Sequence, residues 1–222
     1  MELNGKKINF LGDSITQGVG VSDCDRNRYD NILKRLCSLG CTRNYGVSGT
    51  RIACQTGKRP MPNYDGKEFY TRAEIMDRDA DVVVVFGGTN DYGHGDAPFG
   101  TLADTTTDTY CGGINHLMGM IKADFPHAKI VFMTPMRRTG DERVSDTRKE
   151  DGDDARALVE YVDTVIEAAK NHGIYALDLY RTMPIDPNDE FQRKLYAPDG
   201  LHPNDLGQHI IAETLREFLL SI

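Results

Sequence analysis

The chain has 222 residues, of which 39% are hydrophobic and 27% are charged, values typical of one globular domain with a buried core. Its formal net charge of -8 argues against nucleic acid or an anionic lipid surface as a partner, since contacts to phosphate need a local excess of Lys or Arg. No signal segment precedes the first predicted strand and no apolar run is long enough to span a bilayer, so we expect no membrane insertion.

The cysteines indicate a reducing compartment. There are five, which cannot all pair, and none are spaced as CxxC, so neither a disulfide framework nor a structural zinc site is expected. Cys37 and Cys41 have a four-residue spacing, but Gly40 is predicted to end the helix between them, which favours buried apolar roles. We therefore predict a cytoplasmic protein without a bound metal. The cysteines are Cys24, Cys37, Cys41, Cys54 and Cys111.

Short apolar runs alternate with amphipathic segments along the chain, a pattern typical of strands alternating with helices. In chain order we predict a strand over 8–11, a helix over 26–39, strands over 42–47 and 82–86, a helix over 107–125, a strand over 130–133, a helix over 154–172, a strand over 174–179 and a helix over 204–220. The helix over 154–172 has the clearest 3.6-residue period, with Asp153 and Asp154 at its positive end and Gly173 as its stop.

This alternation predicts an α/β fold with a five-stranded parallel sheet and helices on both of its faces. In such sheets ligands bind beyond the carboxyl ends of the strands. The loops that leave those ends are rich in glycine and polar residues and span 12–20, 47–53, 87–95 and 135–152. One edge of the sheet is therefore expected to carry the chemistry.

Two insertions interrupt the pattern, at 54–80 and 180–198. We predict surface excursions that wall a pocket. They are also candidates for a contact between copies of the chain, so a homo-oligomer stays open. Within the loop over 135–152, Arg137 and Arg138 leave a strand end and are candidates to reach an anionic substrate group, although most such charges are only solvated.

Four strand-end segments each supply a part needed for acyl transfer. They are Gly12-Asp13-Ser14-Ile15, with an exposed hydroxyl; the segment 44–50, where Gly49 lets a backbone N–H approach a ligand; Gly87-Gly88-Thr89-Asn90-Asp91, with an amide donor; and Asp199-Gly200-Leu201-His202, with a carboxylate beside an imidazole. Each residue alone has a plain structural interpretation, such as a helix N-cap for Ser14. Together they predict a serine activated by a distant base.

In this order the segments resemble the four signature blocks of the SGNH hydrolases, or GDSL esterase/lipase family, with GDSI in place of GDSL. The resemblance spans 12–204 and implies a flavodoxin-like, three-layer α/β/α fold and no cofactor. It also implies that Ser14 is the nucleophile, that His202 is the general base with Asp199 as its orienting acid, and that Ser14, Gly49 and Asn90 form the oxyanion hole.

Four further residues near this edge are candidates for support or substrate contact. We expect Asp13 to fix the Ser14 turn and Asp91 to hold its own loop. His94 is a candidate for substrate contact, against the alternative of an exposed histidine, and Arg137 is the candidate already named. The remaining histidines near helices, His116, His127, His172 and His209, are interpreted as structural or surface residues.

The resemblance implies a serine ester hydrolase that works through an acyl enzyme on a small-molecule ester. Short acyl groups, such as O-acetyl groups on carbohydrates, are the favoured substrates, with a lysophospholipase or thioesterase of the same family as an alternative. A non-catalytic glycan-binding protein on the same fold is a second alternative, although a binder does not need a base beside a hydroxyl. A nucleotide-binding module is disfavoured because the first glycine turn lacks the lysine of GxxxxGK[ST].

Overall fold

The computed structural model describes residues 1–55, 67–145 and 156–222. The five strands form one parallel sheet in the order β2-β1-β3-β4-β5, as predicted. The strands are β1 (Lys7–Gly12), β2 (Cys41–Gly46), β3 (Val82–Phe86), β4 (Lys129–Met133) and β5 (Tyr175–Leu177).

The register brings the carboxyl ends of the strands to one edge. Gly12 of β1 lies opposite both Gly46 of β2 and Phe86 of β3, and Met133 of β4 lies opposite Phe86 and Leu177. Each of these five residues ends its strand. The loops that follow them therefore start side by side, as a parallel sheet requires.

Ten helices lie in the described ranges. They are α1 (Ser14–Gln17), α2 (Cys24–Asn27), α3 (Tyr29–Cys37), α4 (Phe69–Ala73), α5 (Thr89–His94), α6 (Tyr110–Asp124), α7 (Leu158–His172), α8 (Leu179–Thr182), α9 (Glu190–Tyr196) and α10 (Asp205–Ser221). None of these helices combines the length and the apolar character needed to cross a bilayer.

The sheet has a hydrophobic core on each face. In β3, Val83 and Val85 pack into one core with α4, α6 and α7, whereas Val82, Val84 and Phe86 pack into the other with α3 and α10. Side chains alternate between the faces of a strand, so a strand that is covered on both sides is apolar at every position. This double burial explains the continuous run of Val82–Phe86.

The predicted helix over 26–39 is two helices. Asp23 caps α2 by accepting the N–H groups of Asp25 and Arg26, and Arg28 is extended, with φ -74° and ψ 138°, between α2 and α3. The chain then leaves α3 at Ser38, which has a left-handed φ of 51°. The prediction that Gly40 ends this helix was therefore wrong, and Cys41 instead begins β2.

Both insertions also differ from the prediction, because parts of them belong to the cores. Phe69, Ala73 and Met76 are buried in the core beside α6, and Met183 and Ile185 are buried in the core beside α10. They are therefore not simple surface excursions.

The strand predicted over 174–179 stops at Leu177 because Asp178 caps α8, accepting the N–H of Arg181. The predicted start of the helix over 154–172, with Asp153 and Asp154, lies outside the described residues, as do 56–66 of the first insertion and 146–152 of the loop after β4.

Candidate active site

Ser14 lies in a tight turn at the end of β1. Asp13 caps α1, with its Oδ1 accepting the N–H of Ile15 at 3.0 Å, and Ser14 is the first residue of that helix. Gly12 is required here because a Cβ atom would lie 2.0 Å from Oγ1 of Thr16. The turn holds Ser14, which is only 4% exposed, at the carboxyl edge of the sheet.

The segment before α10 brings His202 to Ser14. His202 Nε2 lies 2.9 Å from Ser14 Oγ, and His202 Nδ1 lies 2.6 Å from Asp199 Oδ2. The other carboxylate oxygen of Asp199 accepts the N–H groups of Leu201 at 2.9 Å and His202 at 2.7 Å. Gly200 makes this short turn with a left-handed φ of 82°. Ser14, His202 and Asp199 thus form one continuous hydrogen-bonded chain.

The charge of Asp199 is stabilised where it lies. Partial burial opposes ionisation, but the hydrogen bonds from the His202 ring and from the N–H groups of His202 and Leu201 outweigh it and lower the pKa of Asp199. An ionised carboxylate favours the tautomer with the proton on Nδ1. Nε2 of His202 is then free to accept a proton from Ser14.

Gly49 and Asn90 come together from separate loops. Asn90 is buried, and its Nδ2 donates to the carbonyl of Thr50 at 3.1 Å, next to Gly49. Gly49 has a left-handed φ of 74°, a conformation that glycine adopts at low cost. The amide of Asn90 and the loop of Gly49 are therefore neighbours.

The other carboxylates and His94 have supporting contacts. His94 is half-buried, and its Nε2 lies 3.0 Å from Oδ1 of Asn90, so it is not simply an exposed histidine. Asp91 accepts the N–H groups of Ile52 and Ala53, which follow the Gly49 loop. Burial raises the pKa of Asp91 to about 6, and these hydrogen bonds oppose the rise.

Asp13 is buried, an environment that disfavours the ionised form of its carboxyl group. Burial raises the pKa of Asp13 to about 6. The hydrogen bond from the N–H of Ile15 and the positive charge of Arg72 act in the opposite direction and limit this rise. It contacts the Ser14 turn through Ile15 and lies close enough to His202 for that residue to influence its ionisation. Its observed contacts are those of a residue that holds the turn.

Arg72, which the sequence did not single out, joins three of the loops. Its Nη1 donates to the carbonyls of Gly12, at 2.8 Å, and Tyr45, and its Nη2 donates to Oγ1 of Thr50 at 2.8 Å. Nε donates to the carbonyl of Lys67 at 2.9 Å. Burial lowers the pKa of Arg72 to about 10, and the charge of Asp13 opposes this. A single side chain therefore supports the ends of β1 and β2 and the Gly49 loop.

Gln208 is a second residue that sequence reasoning missed. Fully buried on α10, it accepts the N–H of Tyr29 at 2.9 Å and donates to the carbonyl of Ile15 at 3.1 Å. It ties the helix that follows His202 to the turn that contains Ser14. The only available signal was an amide on the apolar face of a predicted helix.

Arg137 lies in a different environment from these residues. Its guanidinium contacts the carboxylates of Asp141, Glu142 and Asp186 at 3.0–3.2 Å, and it stacks over Tyr180. It lines a cavity of about 440 Å³ with residues of α8 and the segment that follows it. No group of three His, Cys, Asp or Glu side chains in the described part of the chain is arranged to hold a metal ion.

Comparisons with known proteins agree with this architecture. A solved structure of a protein from Lactobacillus plantarum is 27% identical over 99% of this chain and 98% of its own, with a TM-score of 0.82. The lipase/acylhydrolase from Enterococcus faecalis, 18% identical over 96% of this chain and 94% of its own with a TM-score of 0.60, shares the fold.

The search of curated proteins gives no match. The model of the GDSL-like lipase/acylhydrolase family, however, matches residues 10–210, a range that contains Ser14, Gly49, Asn90, Asp199 and His202. The chain belongs to the GDSL-like lipase/acylhydrolase family.

Proposed function

We propose that the protein is a serine ester hydrolase that removes short acyl groups through an acyl enzyme. The observation that carries the proposal is the 2.9 Å contact between Ser14 Oγ and His202 Nε2, with Asp199 on the far side of the ring. A serine hydroxyl becomes a useful nucleophile when a positioned base can take its proton. Membership of an acylhydrolase family supports the same reaction class.

In the first half of the reaction, His202 Nε2 accepts the proton of Ser14 while Oγ attacks the carbonyl carbon of the ester. The carbonyl oxygen becomes the oxyanion of a tetrahedral intermediate. Collapse of the intermediate breaks the bond to the alcohol oxygen, which leaves with the proton from His202. The acyl group stays bonded to Ser14.

In the second half, His202 takes a proton from water as the water oxygen attacks the acyl carbon. The second tetrahedral intermediate breaks the bond to Ser14 Oγ, which regains a proton from His202, and the acid is released. Asp199 keeps the ring oriented throughout and stabilises the imidazolium form.

The oxyanion hole is assigned to the backbone N–H groups of Ser14 and Gly49 and to the amide of Asn90. An amide nitrogen has two N–H hydrogens, and Nδ2 of Asn90 uses one for the carbonyl of Thr50. The second is available for a substrate oxygen. The contact of His94 with Oδ1 keeps Nδ2, rather than the oxygen, on the side of Gly49.

Small polar esters, such as O-acetyl groups on carbohydrates, are the substrates we propose. The cavity beside α5 has a volume of about 220 Å³ and is lined by polar groups and glycines, including Arg138, Thr139, Gly140 and Ser145. Such a surface suits a polar alcohol better than a long acyl chain.

A serine-directed fluorophosphonate probe tests the reaction class. We expect covalent labelling of the wild-type protein and none of Ser14→Ala, because only an activated hydroxyl attacks the phosphorus atom. His202→Ala should lose labelling as well, whereas Ser48→Ala is a matched control that should be labelled normally. A folded wild-type protein that is not labelled would instead indicate a glycan-binding protein.

Rates on nitrophenyl esters of increasing chain length, compared with acetylated sugars, test the substrate class. We expect the highest kcat/KM with acetyl esters. An optimum at long acyl chains, or faster hydrolysis of thioesters or lysophospholipids, would contradict the proposed substrate.

A cytoplasmic location and self-association are further proposals. The five cysteines form no disulfide bond with one another, which supports a reducing compartment. Cell fractionation tests the location, and sedimentation of the purified protein tests for a homo-oligomer.

A further inference from the structure

Two consecutive arginines leave β4, and the structure gives them different surroundings. The guanidinium of Arg137 is neutralised by three carboxylates. Arg138, by contrast, makes no ion pair with a carboxylate in the part of the chain that the structure describes. Its Nη1 donates instead to Oγ1 of Thr89 at 3.1 Å and to the carbonyl of Thr89 at 3.2 Å.

Arg138 is only partly exposed to water. The guanidinium lies 5.4 Å from the centre of the Tyr92 ring, and Nε, which is inaccessible to solvent, has no hydrogen-bond partner among the described residues. Burial lowers the pKa of Arg138, while the more distant charges of Asp13, Asp141 and Asp199 oppose this. A partly buried cation without a paired anion is unfavourable, and an anionic ligand would compensate for the water that the guanidinium has lost.

Arg138 also faces a cavity beside the proposed catalytic residues. The cavity of about 220 Å³ is lined by Tyr92, Gly93, Arg138, Thr139, Gly140 and neighbouring residues. Thr89, which holds the guanidinium, directly precedes Asn90, and the N–H of Thr139 donates to the carbonyl of Gly200 at 2.8 Å, between Asp199 and His202. The cavity therefore lies between the loop of the oxyanion donor and the turn of the base.

We propose that Arg138 binds a carboxylate or phosphate group on the alcohol part of the ester, so that the enzyme selects acylated alcohols carrying an anionic group. The guanidinium fork matches both groups in shape and charge. The alcohol is the part concerned because the acetyl group, which is the proposed acyl part, carries no charge. This inference rests on the proposed hydrolase function and refines its substrate.

The test compares an anionic ester with its neutral counterpart. The probes are 3- and 4-acetoxybenzoate and the methyl esters of the same two compounds. In the wild type, we expect a higher kcat/KM for the charged ester than for its methyl ester in at least one of the two pairs. Arg138→Gln should lower the kcat/KM for that charged ester roughly 10- to 100-fold, the loss expected when a hydrogen bond to a charged group is removed. The value for the neutral ester should change less than about threefold.

Two further variants separate the local charge from other effects. Arg138→Lys keeps the charge and should retain part of the preference. Arg181→Gln removes one positive charge from an exposed arginine that pairs with Asp163 and Asp178, and it should leave the preference unchanged. Equal losses for charged and neutral esters in Arg138→Gln, or no charge preference in the wild type, would overturn the proposal.

Binding to Ser14→Ala protein separates this inference from the proposed function. This variant cannot cleave the ester, so calorimetry measures affinity alone. We expect it to bind the charged acetoxybenzoate about 10-fold or more tightly than its methyl ester, and Ser14→Ala/Arg138→Gln to bind the two equally. If Ser14→Ala binds the charged ester more tightly but the wild type hydrolyses neither ester, the hydrolase function is rejected and the anion site is kept. Equal affinities in Ser14→Ala would reject the anion site alone.

Discussion

Asp199 accepts three hydrogen bonds from residues within the next three positions of the chain. These bonds hold both the carboxylate and the ring of His202, although the Asp199 side chain is 55% exposed. A carboxylate held in this way selects the ring tautomer by its position as well as its charge. The geometry of this turn therefore fixes which nitrogen of the His202 ring faces Ser14.

Replacing Asp199 by Asn is expected to lower kcat by about 1,000- to 10,000-fold, because an amide can donate to Nδ1 and favour the wrong tautomer of His202. Steady-state hydrolysis of 4-nitrophenyl acetate measures the effect. Asp189→Asn, which changes another aspartate that caps a helix, is the control and should keep near-normal kcat. A loss of less than tenfold in Asp199→Asn would show that its carboxylate does not orient the base.

Asp13 gives a prediction about stability and pH. Its folded-state pKa of about 6 lies above the ordinary value of 3.8, so the native state binds more protons than the unfolded state between these values. Ionisation of Asp13 therefore lowers stability as the pH rises from about 4 to about 6. Asp13→Asn keeps a capping oxygen without the charge.

Relative to the wild type, Asp13→Asn should gain about 1 to 3 kcal/mol of unfolding free energy between pH 4 and pH 7. Urea denaturation of both proteins at several pH values measures this difference. A difference that stays constant over the pH range would mean that burial does not raise the pKa of Asp13.

Among the elements, α10 connects the two ends of the proposed catalytic chain. His202 lies just before its N-terminus, and Gln208, the fourth residue of the helix, bonds to the backbone of α3 and of the Ser14 turn. Asp205 on the same helix accepts the N–H of Ser22 in the loop after α1. The helix thereby fixes the distance between base and hydroxyl from a position away from both.

Gln208→Leu should lower the free energy of unfolding by about 2 to 5 kcal/mol, because it leaves the N–H of Tyr29 and the carbonyl of Ile15 buried without a partner. The control is His209→Leu, at the next and exposed position of the same helix, with an expected change below about 0.5 kcal/mol. Urea denaturation measures both. Similar effects of the two substitutions would contradict the role assigned to the buried amide.

Elements with strong local signals could be predicted from the sequence, and those set by distant contacts could not. The run of β3 and the turn residues around Ser14 and His202 carry their own patterns. The interruption at Arg28, however, accompanies a hydrogen bond from Tyr29 to Gln208, which is 179 positions away. Arg72 was missed for a related reason, since its partners are mostly backbone carbonyls, which every sequence contains.

At the scale of the whole molecule, the single β-sheet contributes side chains to two hydrophobic cores, one on each of its faces. Val83 and Val84 are adjacent in β3, yet each packs into a different core. Loss of the sheet would expose both cores at once. We therefore propose that the chain unfolds as one cooperative unit, in keeping with the single domain expected from its length and composition.

Val83→Ala and Val84→Ala should each lower the free energy of unfolding by about 2 kcal/mol through lost methyl groups and the cavity left behind. Both should shift the urea transitions seen by circular dichroism and by tyrosine fluorescence together, since the chain contains no tryptophan. The double variant tests additivity. Separate transitions for the two signals would show that the layers unfold independently.

The hydroxyl of Ser14 and the ring of His202 are 188 positions apart in the chain. A fragment that ends before His202 keeps the hydroxyl of Ser14 but has no imidazole beside it to accept its proton. Under the proposed mechanism, turnover therefore reports complete folding, because a chain that has not brought these two side chains together does not hydrolyse an ester.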